Sequence, residues 1–234
     1  NVFFSQFENA LVYFNPAYSA HEVQYGGGIL ARNQWASSQG TFLFTHVHAN
    51  YRINPEHGTA IAFTHQNSNS GSFNKWNLNL NYAYTTTLSS KWSIAAGCGL
   101  GIRSFNISSE EFIFEDAIIS GGTSTEKIKD INNTSTWGLD VGVNIFSETK
   151  TNIAIGFQNI NFPSFDGIVE NLEIKPTTTL FISHKIQVSG NHYRPNLLEV
   201  YLTPSFVLLY QSPFSQMRIG ITADMESVLF GLHY

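Results

Sequence analysis

The chain is short of several things at once. Only one of its 234 residues is a cysteine, Cys98, so no intrachain disulfide can form. Charged residues make up 12%. An ordinary soluble domain carries about 25%, so much of this surface is not built to face water. No stretch approaches the roughly 18 unbroken apolar residues of a transmembrane helix. The net charge is -5 with no basic run, which argues against a nucleic-acid footprint. There is no Gly-x-Ser-x-Gly elbow and no His-Glu-x-x-His pair, so these hydrolase signatures are missing. No signal peptide opens the sequence, and an exported chain would then begin at or near a processed terminus at Asn1.

Aromatic residues, by contrast, are plentiful at 14%, with Phe 19, Tyr 10 and Trp 4. Hydrophobic residues reach 42%, yet mean hydropathy is -0.09, far too low for a bundle of membrane helices. Few charges, many aromatics and near-neutral hydropathy fit a β-barrel that is apolar outside and polar inside.

A period of two recurs along the chain. Trp76, Leu78, Leu80, Tyr82 and Tyr84 alternate with Asn77, Asn79, Asn81 and Ala83. Trp92, Ile94, Ala96, Cys98, Leu100 and Ile102 alternate with Ser93, Ala95, Gly97, Gly99, Gly101 and Arg103. Leu139, Val141, Val143 and Ile145 alternate with Gly138, Asp140, Gly142 and Asn144. Met217, Ile219, Ile221 and Ala223 alternate with Arg218, Gly220, Thr222 and Asp224. The polar faces are small and mostly uncharged. A soluble sandwich would place Lys and Glu there; a crowded lumen suits what is present.

The pattern predicts eleven strands, at 21–34, 41–53, 58–67, 74–87, 90–105, 135–146, 150–160, 175–189, 196–210, 215–225 and 227–234. Most reach the roughly ten tilted residues that cross a bilayer. The long connections, 106–134 and 161–174, both fall in the odd-numbered set, and the even-numbered set is short. An up-and-down barrel with short periplasmic turns and long outer loops gives this parity. The expected fold is therefore all-β: an antiparallel up-and-down transmembrane barrel over 21–234, preceded by a periplasmic or lumenal leader at 1–20. Single-chain bacterial barrels have an even strand number. Eleven strands thus read as part of a barrel of about 14, with a complete smaller barrel as the alternative. Trp35, Trp76, Trp92, Trp137 and Tyr234 lie near strand ends and are expected in the interfacial girdles.

Several residues invite chemistry. His46 and His48 share a strand face, but no second His pair or Cys accompanies them to complete a zinc site. His65 and His184 would have to converge on them. Cys98 sits on an apolar face and reads as a small hydrophobe. Gly97, Gly99 and Gly101 have no following helix and so form no phosphate loop. They make room for a neighbour inside the barrel, either the leader or a foreign chain. Loop 106–134 carries Glu110, Glu111, Glu115, Asp116, Glu126 and Asp130 against Lys127 and Lys129. Its spacing is not that of an EF-hand; it reads as a solvated loop or a partner contact. No metal or other cofactor is expected.

The opening Phe4-Ser-Gln-Phe7, followed by Phe14-Asn-Pro-Ala-Tyr18-Ser19, resembles the FSQY…NPAYAG start of the PorP/SprF family. Arg32-Asn-Gln-Trp35 is similar to that family's R-x-QW, Tyr82-Ala-Tyr84 to its YAY strand motif, and Phe112-Ile-Phe-Glu-Asp116 to its F-x-D loop element. The resemblance spans the whole chain. Family members run on to a G-H-E-I-x-L-like segment missing here, which supports an unclosed barrel. The resemblance implies an outer-membrane protein of the type IX secretion and gliding apparatus of Bacteroidota, with no catalytic activity. It implies as partners other components of that apparatus and a secreted surface protein with a type B C-terminal domain. The residues expected to touch a partner are Phe4, Phe7, Phe14, Asn15, Pro16, Tyr18, Gly97, Gly99, Gly101, Glu115 and Asp116. For the leader, the blander reading is filler inside the lumen. The alternative function is a channel or solute transporter; an outer-membrane enzyme and a soluble β-protein stand behind both.

Overall fold

The structure, a computed structural model, describes residues 7–20, 24–34, 41–68, 73–107, 131–147, 151–165, 172–189, 200–225 and 228–233. Three short turns of helix come first: a 3-10 turn Phe7–Ala10, α1 Leu11–Phe14 and a 3-10 turn Pro16–Ala20. The strands are β1 Tyr25–Gln34, β2 Phe42–Arg52, β3 His57–Ser68, β4 Phe73–Ser89, β5 Trp92–Ile107, β6 Ile131–Ser147 and β7 Thr151–Gln158. A small hairpin follows, β8 Ser164–Phe165 with β9 Leu172–Glu173. Then come β10 Thr177–His184, β11 Ile186–Ser189, β12 Val200–Gln211, β13 Phe214–Met225 and β14 Val228–His233.

All long strands join one antiparallel sheet in the order β1-β2-β3-β4-β5-β6-β7-β10-β12-β13-β14. The path has eleven members, the number the alternation predicts. β10 and β11 both pair with β12 and are one strand broken at Lys185. Each neighbour in sequence is a neighbour in space, apart from the separate β8–β9 hairpin in the connection read as a plain loop. Among the described residues, β1 and β14 do not pair with each other.

The leader shows that the sheet is curved. Residues 7–20 touch Leu30 of β1, Phe44 of β2, Ala60 of β3, Ala154 of β7, Phe181 of β10, and Val207 and Leu209 of β12. They also reach β4, β5 and β6. A fourteen-residue segment meets nine of the strands only if they wrap around it. The sheet thus has an inner face, turned to the leader, and an outer face.

The two faces are inverted relative to a water-soluble protein. Asn77, Asn79, Asn81, Arg103, Asp140, Asn144, Thr177 and Thr179 are buried on the inner face. Leu80, Leu100, Ile102, Met217 and Ile219 lie on the outer face, each at least half exposed. Cross-strand register joins the outer residues into a continuous belt. Ile61 faces Leu80, Leu80 faces Leu100, and Leu100 faces Leu139. Farther round, Ile155 faces Leu180, Leu180 faces Leu208, and Leu208 faces Met217. Monomeric soluble proteins rarely expose apolar patches beyond a few hundred Å². An uninterrupted belt of this kind calls for hydrocarbon against it. Among the described residues no helix is long and apolar enough to cross a membrane, a fact that leaves strands free to do so.

Aromatics flank the belt. Tyr25, Tyr51, Tyr82, Tyr84 and Trp92 lie exposed toward the end with the short turns. Trp137, Tyr210 and Phe214 lie exposed toward the other end, with Trp76 half-buried there. On β4, Trp76 and Tyr84 are eight residues apart, about 26 Å along a strand and about 20 Å once it tilts by some 40°. Outer-membrane barrels have an apolar band of about 25 Å. Trp35 and Tyr234 lie outside the described residues.

Candidate functional site

The inner face is shaped around the leader. Asn15 and Pro16 set its course. Pro16 opens the second 3-10 turn, where its fixed φ is already suitable and its missing N–H costs nothing. Asn15 is extended, as a residue before proline prefers, and caps that turn: its Oδ1 accepts from the Ala17 N–H at 2.9 Å. The other end of the same side chain reaches the wall. Nδ2 donates to the carbonyls of Val143 on β6, at 3.2 Å, and Ile155 on β7, at 3.0 Å. Tyr18 donates to Asn152 Oδ1 at 2.8 Å, and Gln158 Nε2 donates to the Tyr13 carbonyl at 2.6 Å.

The wall gives way to this backbone. A Cβ on Gly97 would collide with Pro16 and Ala17, one on Gly142 with the Asn15 side chain, and one on Gly156 with the Phe14 carbonyl. Apolar contacts complete the seat. Phe7 stacks on Phe14 with ring centroids 4.2 Å apart and on Phe181 at 5.6 Å. Here the inner face is apolar, with Phe44, Ala60, Ala154, Phe181, Val207 and Leu209 under the leader aromatics. The burial holds the Tyr13 phenol neutral, its pKa pushed up to about 12, and raises that of Tyr18 as well.

Beyond Tyr13, toward the end with the long connections, the inner face becomes polar. Arg103 Nη2 lies 3.2 Å from Asp140 Oδ1, both side chains almost fully buried. Asp140 also accepts from Asn79 Nδ2 at 3.0 Å and from the Asn159 N–H at 2.9 Å. Asn159 sits at φ 59, in the left-handed region that Asn tolerates, which turns its N–H to the carboxylate. The network borders a cavity of about 80 Å³ lined by Tyr13, Phe44, Lys75, Asn77, Arg103 and Gln158 among others.

Residues 1–234 match the family described as "Type IX secretion system membrane protein PorP/SprF". The chain belongs to the PorP/SprF family. Its role therefore lies in type IX secretion, in a membrane, among the other components of that system. No curated protein matches the chain.

Within this PorP/SprF fold the predicted partner-contact residues separate into groups. Phe7, Phe14, Asn15, Pro16 and Tyr18 are buried against the chain's own strands. Gly97 faces the leader backbone, whereas Gly99 faces Asn81 and Asp140, and Gly101 faces Asn79 and Asn77. Phe4, Glu115 and Asp116 lie outside the described residues. His46 and His48 stack with ring centroids 5.2 Å apart, and Tyr13 packs edge-on to His46, also at 5.2 Å. Among the described residues, no three His, Cys, Asp or Glu side chains come together as a metal site would need. Cys98 is exposed on the outer face. Lys75, Gln158 and Asn159 were not singled out by the sequence reading. Lys75 stands directly before Trp76 on the polar parity of β4, so the alternation itself carried the signal.

Proposed function

We propose that this PorP/SprF member is an outer-membrane barrel that binds, and helps export or anchor, a secreted cell-surface protein carrying a type B C-terminal domain. The short-turn end would face the periplasm and the long connections the outside. The observation that carries the reading is the division of the inner face. Among the described residues, part of it is filled by residues 7–20, and the part beyond Tyr13 is a polar cavity. A plugged wall with a shaped recess suits a partner better than a stream of solute. The role is binding rather than catalysis. The test is purification from native membranes in mild detergent. A surface protein with that domain should co-elute in near-stoichiometric amount, and a barrel that emerges alone refutes the reading.

A further inference from the structure

The cavity beyond Tyr13 has a charge imbalance. Among the described residues the one buried anion beside it, Asp140, is fully engaged: Oδ1 accepts from Arg103 and Asn159, and Oδ2 from Asn79 and, at 3.4 Å, Arg103. Arg103 is 4% exposed, and its Nη1 is buried against Gly138 of β6 without a hydrogen-bond partner. Lys75 lies on the adjacent strand and the same face, opposite Phe105, as a diagonal neighbour of Arg103. Among the described residues Lys75 has neither an ion pair nor a hydrogen bond. Among the described residues, Lys75 lines the cavity and Arg103 adds a second positive charge behind it, while the neighbouring carboxylate, Asp140, has no acceptor capacity to spare. The remaining polar lining is mostly amide, from Gln66, Asn77, Gln158, Asn159 and Gln211, with the Thr64 hydroxyl, and Phe44 and Ile174 add apolar surface.

Lys75, Gln66 and Gln211 stand at strand ends on the long-connection side, so the cavity lies toward that end. A low-dielectric recess with an uncompensated ammonium, and a buried guanidinium behind it, selects an anion that accepts from the ammonium. Amide and apolar walls beside it suit the backbone and side chains of a peptide. We propose that this cavity is a carboxylate-binding site for a peptide segment of the secreted partner, with Lys75 as its charged donor and the Arg103 guanidinium adding positive potential behind it. The inference rests on the cargo reading above. The carboxylate is either a chain terminus or an acidic side chain.

The full chain in detergent is titrated with three probes: N-acetyl-Val-Val-Phe with a free carboxylate, its C-terminal amide, and N-acetyl-Val-Glu-Val-amide. At least one carboxylate peptide should bind, and the neutral amide should bind about tenfold or more weakly, the scale of one hydrogen bond to a charged group. Which carboxylate peptide binds better names the source. Lys75→Gln should weaken binding by a similar factor, and Lys75→Arg should restore most of it. Lys75 has no structural partner, so these variants keep the fold, and an unchanged thermal transition checks that. Equal binding of acid and amide, no binding of either acid, or indifference to Lys75→Gln each overturns the proposal. The two readings fail separately. Native co-purification in which wild type and Lys75→Gln hold the surface protein equally well sinks the carboxylate site and leaves the cargo role intact. Wild type that holds none sinks the cargo role.

Discussion

Leu80 and Leu88 provide a test of what wets the outer face. They lie on the same strand and point the same way, and each is 57% exposed. If water bathed both, arginine at either position would change stability by no more than about 0.5 kcal/mol. A bilayer separates them. Leu80 sits midway between Trp76 and Tyr84, flanked in register by Ile61 and Leu100. Leu88 adjoins the turn before Trp92, where the β4–β5 register slips. Arginine near the midplane of a barrel costs about 2–4 kcal/mol and near the interface about 0–1. Leu80→Arg should therefore cost roughly 2–3 kcal/mol more than Leu88→Arg. Urea titrations of the chain folded into phosphatidylcholine vesicles, followed by tryptophan fluorescence, give both numbers. Equal costs would falsify the lipid-facing belt, because nothing else in the surroundings of the two leucines distinguishes them by that amount.

The inner face makes further predictions. Asn15→Ala removes the cap of the second 3-10 turn and two donors to β6 and β7; the same titration should show a loss of about 1–3 kcal/mol. Gly142→Val drives a side chain into Asn15 and should cost about 1–3 kcal/mol, with faster proteolysis of the leader. Arg103→Met strands a buried carboxylate at Asp140 and should cost about 3–5 kcal/mol, whereas Arg103→Met with Asp140→Leu should recover most of that loss. The Tyr13 pKa is raised from 10.0 to about 12, so the folded chain holds that proton more tightly than the unfolded one. Its contribution is complete below pH 10 and is lost as pH rises through about 12. Tyr13→Phe should flatten the fall in stability across that window, as read by alkaline denaturation.

The wall of the molecule was legible because its alternation is one-dimensional. Parity along β4, β5, β6 and β13 separates residues bound for hydrocarbon from those bound for the interior, without knowledge of the partner strands. β10 and β12 were harder, since Phe181, Val207 and Leu209 make their inner faces apolar too. The reason for that second apolar face lies outside those strands, in Phe7 and Phe14. The Arg103–Asp140 pair shows a different limit. Both residues read as charges on inner faces, yet their pairing depends on the β5–β6 register, which sets Gly99 opposite Asp140 and Thr136 opposite Arg103. Gly138 then leaves room for the guanidinium. Nothing in either strand alone specifies that arrangement. The break at Lys185 and the β8–β9 hairpin are likewise products of packing.

Leader and wall explain each other's composition. The glycines on β5, β6 and β7 would each weaken a strand by leaving no side chain to pack. Three of them persist where the leader already crosses: Gly97 under Ala17, Gly142 under Asn15, Gly156 under Phe14. Conversely, Phe7, Phe14 and Tyr18 gain about 1.5–3 kcal/mol apiece for burial, available only once the strands curve round them. Neither part is stable as composed without the other. The Leu80 and Asn15 experiments consequently probe two sides of one closure. Hydrocarbon holds the outer face, and the leader occupies the half of the inner face that would otherwise be an apolar hollow. Among the described residues, what remains beyond Tyr13 is polar and cationic in balance, and it is the part of the inner face that the leader leaves for a second molecule.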